Sequence, residues 1–269
     1  MPIPYITAHS GCENTPRDSM DSIEQAIQAG ADIVEMDIRR APDGVLRISH
    51  NQLEQTNNGE KPTLESVFLR LKDTPLALNC DLKEQCVLYE MLDMASSLGF
   101  GKERLILSGC TSPEQLARDP SLSERAQIYL NIEEILKFIY LTERQDGYDS
   151  RFTELMVTPW SFLDTFELTD ERLEKIVLFA QVLHIFGINL PVRHLTDRTV
   201  EIFRASGTAI SVWTVNDAET LERCIRSGVR NITTLTPRLA IAIRQQLYPH
   251  LKETPGRIGD AYGKEYPDR

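Results

Sequence analysis

A repeated alternation of short apolar segments with amphipathic helical patterns is the feature that most constrains the fold of this chain. Eight segments have the length and composition of buried strands, and helical patterns separate most of them: 5–8, 33–38, 76–82, 105–108, 128–130, 182–188, 209–215 and 231–234. Repeated βα units form a parallel sheet, and eight parallel strands close into a barrel. We therefore expect an α/β fold, a single (β/α)8 TIM barrel over residues 1–253, with a small β-hairpin after the second strand.

Two stretches depart from this alternation. Between 131 and 180 the pattern is mixed: 132–140 and 169–179 look helical, whereas 154–158 could be a short strand. Residues 254–269 are rich in glycine, proline and charge, which is typical of a loosely attached segment. We expect one barrel domain followed by a C-terminal tail.

The charge balance excludes several classes of partner. With 40 acidic and 29 basic residues the chain has a formal charge of −11, whereas nucleic acids and anionic membrane surfaces require a basic footprint. No apolar run reaches membrane-spanning length, and the first residues lack the pattern of a signal peptide. The five cysteines are odd in number and lack metal-type spacing, so we interpret them as reduced thiols. We expect a cytoplasmic protein with a small-molecule substrate, neither bound to nucleic acid nor inserted in a membrane.

The stretch 30–38, Gly-Ala-Asp-Ile-Val-Glu-Met-Asp-Ile, places two carboxylates in an otherwise apolar strand. Side chains alternate along a strand, so Glu35 and Asp37 share one face. Neighbouring acids repel each other, and a divalent cation with oxygen ligands is a common remedy. On this stretch alone, a strand end with two solvated acids fits equally well.

Further polar groups follow the predicted strands at their C-terminal ends, which meet at one face of a barrel. They come from four strand ends and from the hairpin. The full set is His9, Glu13, Glu35, Asp37, His50, Asp81, Lys83, Trp213 and Asn216.

This set resembles the glycerophosphodiester phosphodiesterase family, of the PI-PLC-like phosphodiesterase TIM-barrel superfamily. The family's opening motif, His-Arg-Gly followed by Glu-Asn-Thr, stands here as His9-Ser10-Gly11 and Glu13-Asn14-Thr15, and its Gly-Ala-Asp with Glu-x-Asp stands as Gly30-Ala31-Asp32 with Glu35 and Asp37. The family's Asp-Gly turn and the His-Asp that follows it are matched by Asp43-Gly44 and His50-Asn51. Its Glu-x-Lys strand is matched by Asp81-Leu82-Lys83, and its Trp-Thr-Val-Asn segment is intact at residues 213–216. The resemblance covers nearly the full chain and is strongest from Ala8 to Lys83.

The resemblance implies a metal-dependent phosphodiesterase that cleaves glycerophosphodiesters, the deacylated phospholipids, into glycerol 3-phosphate and an alcohol. It makes His9 and His50 the general acid and base, a role suited to imidazole because it titrates near neutrality. It also implies a divalent ion, Mg²⁺ or Ca²⁺, held by Glu35, Asp37 and Asp81. Attack by the neighbouring glycerol hydroxyl and direct attack by water are both compatible with the sequence.

Four residues are candidates for substrate binding. Lys83 either adds positive charge near the phosphate or forms a plain salt bridge, and Trp213 either walls the pocket or packs in the core. Glu13 is a possible metal ligand or partner of one. Arg39 is the fourth candidate. Asn216 is expected to cap the helix that follows it.

Three positions depart from the family pattern. Ser10 replaces an arginine that can grip phosphate through two hydrogen bonds, and Arg39, on the strand face of Asp37, is a candidate substitute. Asn51 replaces an aspartate, and Asp81 is shorter than the expected glutamate. The alternative that these changes motivate is a catalytically silent or substrate-altered barrel that binds a phosphorylated ligand or a protein.

Overall fold

The computed structural model describes residues 3–54, 61–143 and 150–249. Its strands are β1 (Tyr5–Ala8), β2 (Ile33–Arg40), β3 (Leu46–Ile48), β4 (Ala77–Leu82), β5 (Leu105–Gly109), β6 (Gln127–Asn131), β7 (Gly187–Pro191), β8 (Ala209–Trp213) and β9 (Asn231–Thr234). Its α-helices are α1 (Met20–Ala29), α2 (Leu64–Leu71), α3 (Leu88–Ser97), α4 (Pro113–Arg118), α5 (Leu122–Arg125), α6 (Ile132–Glu143), α7 (Ser150–Val157), α8 (Pro159–Thr165), α9 (Asp170–Val182), α10 (Asp197–Ser206), α11 (Ala218–Ser227) and α12 (Pro237–Leu247).

Eight of the described strands form a closed parallel barrel. The order around it is β1-β9-β8-β7-β6-β5-β4-β2, and β1 closes the ring by pairing with β2 as well as with β9. The helices lie outside, and their apolar faces pack on the strands to form the main core. The predicted (β/α)8 TIM barrel is confirmed.

The predicted hairpin is formed by β2 and β3. β3 pairs antiparallel with β2, with Ile38 opposite Ile48, and stands outside the closed ring. The amide of Ser49 donates to the carbonyl oxygen of Asp37 at 2.8 Å. The hairpin therefore brings His50 back beside the C-terminal end of β2.

Short polar side chains begin several of the helices. Ser19, Thr63 and Thr196 each accept a hydrogen bond from a backbone amide three residues later, at the starts of α1, α2 and α10. Asp217 does the same for α11. The predicted cap at Asn216 is wrong, because its side-chain oxygen instead accepts from the amide of Leu235 at 2.8 Å.

The region between β6 and β7 differs from the prediction. Its described residues form α6 to α9, and the suggested strand at 154–158 falls mostly within α7. Phe152 and Leu155 are buried three residues apart, which is a helical spacing rather than a strand spacing. The strand predicted at 182–188 begins later, at Gly187, because Val182 still belongs to α9. The predicted tail at 254–269 lies outside the described residues.

A buried ion pair joins the last described helix to the beginning of β2. Arg244 of α12 donates to the carboxylate of Asp32 and to the carbonyl oxygen of Pro4 at 3.0 Å. Asp32 also accepts from the amide of Ile6 at 2.7 Å. These bonds connect the first elements of the barrel to its last described helix, at the face away from the strand C-termini.

Two further expectations concern the whole chain. All five cysteines lie in described residues and are free, three of them buried, so the interpretation as thiols is confirmed. Within the described ranges, none of the helices combines the length and apolarity needed to cross a membrane.

Candidate active site

A cleft of about 280 Å³ opens at the C-terminal ends of the barrel strands. Every one of the eight barrel strands, or the residue that follows it, contributes to its lining. Seven of the predicted site residues line it together: His9, Glu35, Asp37, His50, Asp81, Lys83 and Trp213.

Three carboxylates converge on one side of this cleft. β2 and β4 are hydrogen-bonded neighbours with Asp37 opposite Asp81, and the period of two brings Glu35 to the same face as Asp37. Each residue offers an oxygen within 4.8 Å of the others. The predicted metal ligands therefore form one cluster.

Lys83 lies against two of these carboxylates. Its Nζ is 2.6 Å from Asp37 Oδ1 and also donates to Asp81. Burial lowers the pKa of Lys83, but the two carboxylates outweigh it and hold the pKa above its usual range. Lys83 thus forms the salt bridge considered from the sequence and still presents its charge to the cleft.

Of the three carboxylates, Glu35 has the least nearby positive charge to balance its own. It is buried, it accepts from the amide of Ser10 at 3.2 Å, and His9 Nδ1 lies 3.9 Å away. Burial, together with the charges of Asp37 and Asp81, raises the pKa of Glu35 to about 7. A buried cluster of carboxylate oxygens with this excess of negative charge fits a hard divalent cation such as Mg²⁺ or Ca²⁺.

His9 is held in one orientation at the end of β1. Its Nδ1 lies 2.9 Å from the carbonyl oxygen of Ser10, which can only accept, so Nδ1 carries the proton. In the neutral ring, Nε2 is then an unprotonated acceptor. The second nitrogen is therefore available as a base.

His50 is held through its backbone by a pair of polar side chains. Its amide donates to Asp18 Oδ2 at 2.9 Å, and Asp18 exchanges hydrogen bonds with Ser10, which is buried. His50 Nδ1 lies 3.0 Å from Asp37 Oδ2. Ser10, which replaces the arginine of the family motif, thus serves to position the loop around His50.

Arg17 is a charged site residue that the sequence analysis missed. Its Nη2 donates to Asp37 Oδ2 at 2.9 Å and lies 2.9 Å from His50 Nδ1, and its side chain keeps 43% exposure. Among the described residues, it is the one arginine that lines the cleft. The available signal was its place in the loop after β1, the loop that carries the first predicted motif.

Two of the predicted substrate-binding residues lie elsewhere. Arg39 pairs with Glu84 at 3.2 Å and donates to the carbonyl oxygen of His50 at 3.0 Å, outside the cleft lining. Glu13 accepts from the amide of Arg238 at 3.1 Å, in the first turn of α12, where a carboxylate is favourable. The structure therefore gives both residues structural contacts away from the cleft.

Trp213 forms part of the cleft wall. Its ring packs edge-to-face on Trp160 of α8, with the ring centroids 5.1 Å apart, and both rings line the cleft. Trp160 belongs to the region between β6 and β7 that the sequence left uninterpreted. That region therefore contributes directly to the site.

The comparisons with known proteins agree with this geometry. The model of the glycerophosphoryl diester phosphodiesterase family matches residues 9–86, which include the carboxylate cluster and both cleft histidines. The glycerophosphodiester phosphodiesterase of Caldanaerobacter subterraneus subsp. tengcongensis is 23% identical over 88% of this chain and 96% of its own length. That of Bacillus altitudinis is 22% identical over 90% of this chain and 98% of its own.

A solved structure extends the likeness to the fold. The phosphodiesterase of Oleispira antarctica, in complex with its product sn-glycerol 3-phosphate, superposes with a TM-score of 0.61 at 15% identity, over 90% of this chain and 96% of that one. The motifs recognised in the sequence, the family model and the barrel thus agree. The chain is therefore similar to the glycerophosphodiester phosphodiesterases over most of its length, and the model of that family matches its residues 9–86.

Proposed function

We propose that this protein hydrolyses glycerophosphodiesters to glycerol 3-phosphate and an alcohol by histidine acid/base catalysis with a bound divalent cation. The observation that carries the proposal is the meeting of His9, His50 and three carboxylates in one cleft. The Oleispira antarctica neighbour, which holds sn-glycerol 3-phosphate, supports the same product. Such substrates are deacylated phospholipids, so the reaction would belong to lipid and glycerol metabolism.

The two histidines differ in a way that suits different roles. His9 has its proton on Nδ1, which leaves Nε2 to accept a proton from the attacking hydroxyl. His50, whose Nδ1 lies 3.0 Å from Asp37 Oδ2, would then be the acid that donates a proton to the leaving alkoxide. The attacking hydroxyl is either that of the glycerol or that of a water molecule, and His9 serves both routes.

Two positively charged side chains of the cleft would bind the phosphate. Arg17 and Lys83 both contact Asp37 and both face the cleft, so an anionic diester meets two positive charges there. When held by Glu35, Asp37 and Asp81, Mg²⁺ or Ca²⁺ supplies further neutralisation of the phosphate oxygens. Trp213 would form the wall of the cleft on the side of the substrate away from these charges.

The test is release of glycerol 3-phosphate from a panel of glycerophosphodiesters, with Mg²⁺, Ca²⁺ or a chelator. We expect release to need a metal, and His9→Ala and His50→Ala to lower kcat by about 10²- to 10⁴-fold, the usual contribution of a general acid or base. The exposed His184, with its positive φ of 52°, is replaced by Asn as a control that tolerates this backbone and keeps full activity.

The silent-barrel alternative has a distinct outcome in the same experiment. A folded protein that binds the metal but releases no product from any diester would favour it, as the changes at Ser10 and Asn51 suggest. Turnover that survives the loss of both histidines would instead contradict the acid/base mechanism.

A further inference from the structure

Two buried polar atoms on one wall of the cleft have no hydrogen-bond partner in the described structure: Asn189 Oδ1 and Trp213 Nε1. A buried polar atom without a partner is unfavourable, so native structures pair nearly all of them with protein, water or a ligand. One atom is an acceptor and the other a donor. They belong to Asn189 of β7 and Trp213 of the neighbouring strand β8, two residues that line the same cleft.

The acceptor is oriented by its own neighbours. Asn189 Nδ2 donates to Asn131 Oδ1 at 3.0 Å, across the β6–β7 register that places these residues opposite each other. Asn131 in turn hydrogen-bonds the carboxyl of Glu133, which is buried. Because the amide nitrogen of Asn189 is occupied within the protein, its oxygen remains for a ligand.

This wall differs chemically from the opposite one. The charged groups lie on or after β1, β2 and β4, whereas β6, β7 and β8 are across the ring. The amide and indole groups here are uncharged, and the ring of Trp160, packed edge-to-face on Trp213, adds apolar surface beside them. The cleft therefore has one side for an anion and another for an uncharged group.

The pair of free atoms selects a type of ligand group. A hydroxyl both accepts from an indole N–H and donates to an amide oxygen, whereas an ionised phosphate oxygen cannot donate and an ammonium group cannot accept. We propose that Asn189 and Trp213 bind the hydroxyl groups of the glycerol arm while the phosphate faces Arg17 and Lys83. This inference rests on the proposed function and names the part of the substrate that this wall recognises.

Binding of sn-glycerol 3-phosphate and of propyl phosphate, measured by calorimetry with Mg²⁺ present, tests the inference. The two ligands carry the same phosphate, but propyl phosphate lacks the hydroxyls. We expect the parent protein to bind glycerol 3-phosphate about tenfold or more tightly, since a site built to pair with hydroxyls is left unsatisfied by their absence.

Two variants locate the preference. Trp213→Phe keeps the ring and removes the N–H, and Asn189→Leu removes the acceptor at similar volume. We expect each to weaken glycerol 3-phosphate binding about five- to tenfold while leaving the affinity for propyl phosphate unchanged. Equal affinity of the parent for both ligands, or an equal loss for both ligands in the variants, would overturn the inference.

The diester hydrolysis assay separates this inference from the proposed function. A parent protein that hydrolyses glycerophosphodiesters but does not distinguish the two ligands would overturn the hydroxyl-binding wall alone. A parent protein that distinguishes them without hydrolysing any diester would support the wall and overturn the proposed reaction.

Discussion

At the scale of single residues, Asp37 is the centre of the cleft's electrostatics. One of its oxygens contacts Lys83 and the other lies between Arg17 and His50. Burial raises the pKa of Asp37, but these three neighbours outweigh it and hold the pKa below its ordinary value. Asp37 therefore stays ionised at neutral pH, and its negative charge is one of the causes that raise the pKa of Glu35.

The raised pKa of Glu35 predicts a pH-dependent penalty in the metal-free protein. The folded-state pKa of about 7 lies above the ordinary 4.5, so the folded protein binds more protons than the unfolded chain and loses stability as pH rises between these values. We expect Glu35→Gln to remove a penalty that approaches about 3 kcal/mol above pH 7 and is small below pH 5. Urea unfolding in chelator from pH 5 to 8 measures it.

Two controls sharpen that measurement. The exposed Glu222→Gln is expected to show no such pH-dependent gain over the parent. Adding Mg²⁺ or Ca²⁺ at pH 8 is expected to stabilise the parent more than Glu35→Gln, since the variant has lost a ligand. A parent-to-variant difference that is constant from pH 5 to 8 would show that Glu35 is compensated by some other group.

Arg17 and Arg39 form a matched pair for testing phosphate binding. We expect Arg17→Ala to weaken diester binding by about 10- to 100-fold, since hydrogen bonds to charged groups contribute about 1.5–3 kcal/mol. Arg39 contacts Glu84 and a backbone carbonyl outside the cleft, so Arg39→Ala is expected to change the affinity less than about threefold. KM for the diester and Kd for inorganic phosphate report both, and a larger loss in Arg39→Ala would restore the sequence-based assignment.

The outcome at these positions shows what alternation along a strand can predict. Strand alternation predicted that Glu35 and Asp37 share one face, whereas the family resemblance added Asp81 to them as a metal ligand. Arg17 follows a loop whose path depends on Ser10 and Asp18, and no periodicity reveals it. The roles of Glu13 and Arg39 came from a motif and from a strand face, and neither reports where a long side chain finds its partner.

At the scale of elements, the C-terminal end of β5 lies very close to the end of β4 beside the site. Gly109, at the end of β5, has a φ of 77°, and a Cβ there would lie 2.8 Å from Asp81 Oδ1 and closer still to the carbonyl oxygen of Leu82. A side chain at this position would push the end of β4 away. The glycine thus keeps the strand that carries Asp81 in register.

Gly109→Ala is expected to damage both stability and metal binding. The positive φ and the overpacking together predict a loss of about 3–5 kcal/mol in the free energy of unfolding, with weaker Mg²⁺ binding because Asp81 is displaced. Gly207→Ala, which has a φ of 75° but no atom within 4 Å of its Cβ, isolates the backbone cost at about 1–2 kcal/mol. Denaturant unfolding and metal titration compare the two, and equal losses would argue against the clash.

The elements that the sequence predicted well are those with a strong period. The strands β1, β2, β4, β5, β8 and β9 and the hairpin follow apolar runs bounded by clear turn residues. Between β6 and β7, the helices α6 and α9 agree with the helical patterns at 132–140 and 169–179, whereas α7 and α8 were not predicted as helices. The same region supplies Trp160, a cleft residue that the sequence analysis did not single out.

At the scale of the whole molecule, the ion pair of Asp32 with Arg244 connects distant parts of the barrel. Arg244→Met leaves the buried Asp32 without its cation, and we expect a loss of about 3–5 kcal/mol in the free energy of unfolding. Asp32→Asn combined with Arg244→Met is expected to recover part of it, because the amide oxygen still accepts from Ile6. Urea midpoints measure both.

An exposed arginine provides the comparison. Arg226 pairs with Glu222 on the surface of α11, and Arg226→Ala is expected to cost less than about 1 kcal/mol. If Arg244→Met cost as little free energy of unfolding as Arg226→Ala, strand pairing alone would hold the first and last elements of the barrel together.

The closure of the ring also has a consequence for the order of synthesis. β1 leaves the ribosome before the other described strands, whereas its partner β9 and Arg244, which lies 212 residues after Asp32, are made near the end of the described chain. Until then, β1 and the most recently made strand present open edges, the kind of surface that invites pairing between molecules. Nascent chains of this protein are therefore most vulnerable to aggregation just before α12 emerges, and we expect dependence on chaperones to end with that helix.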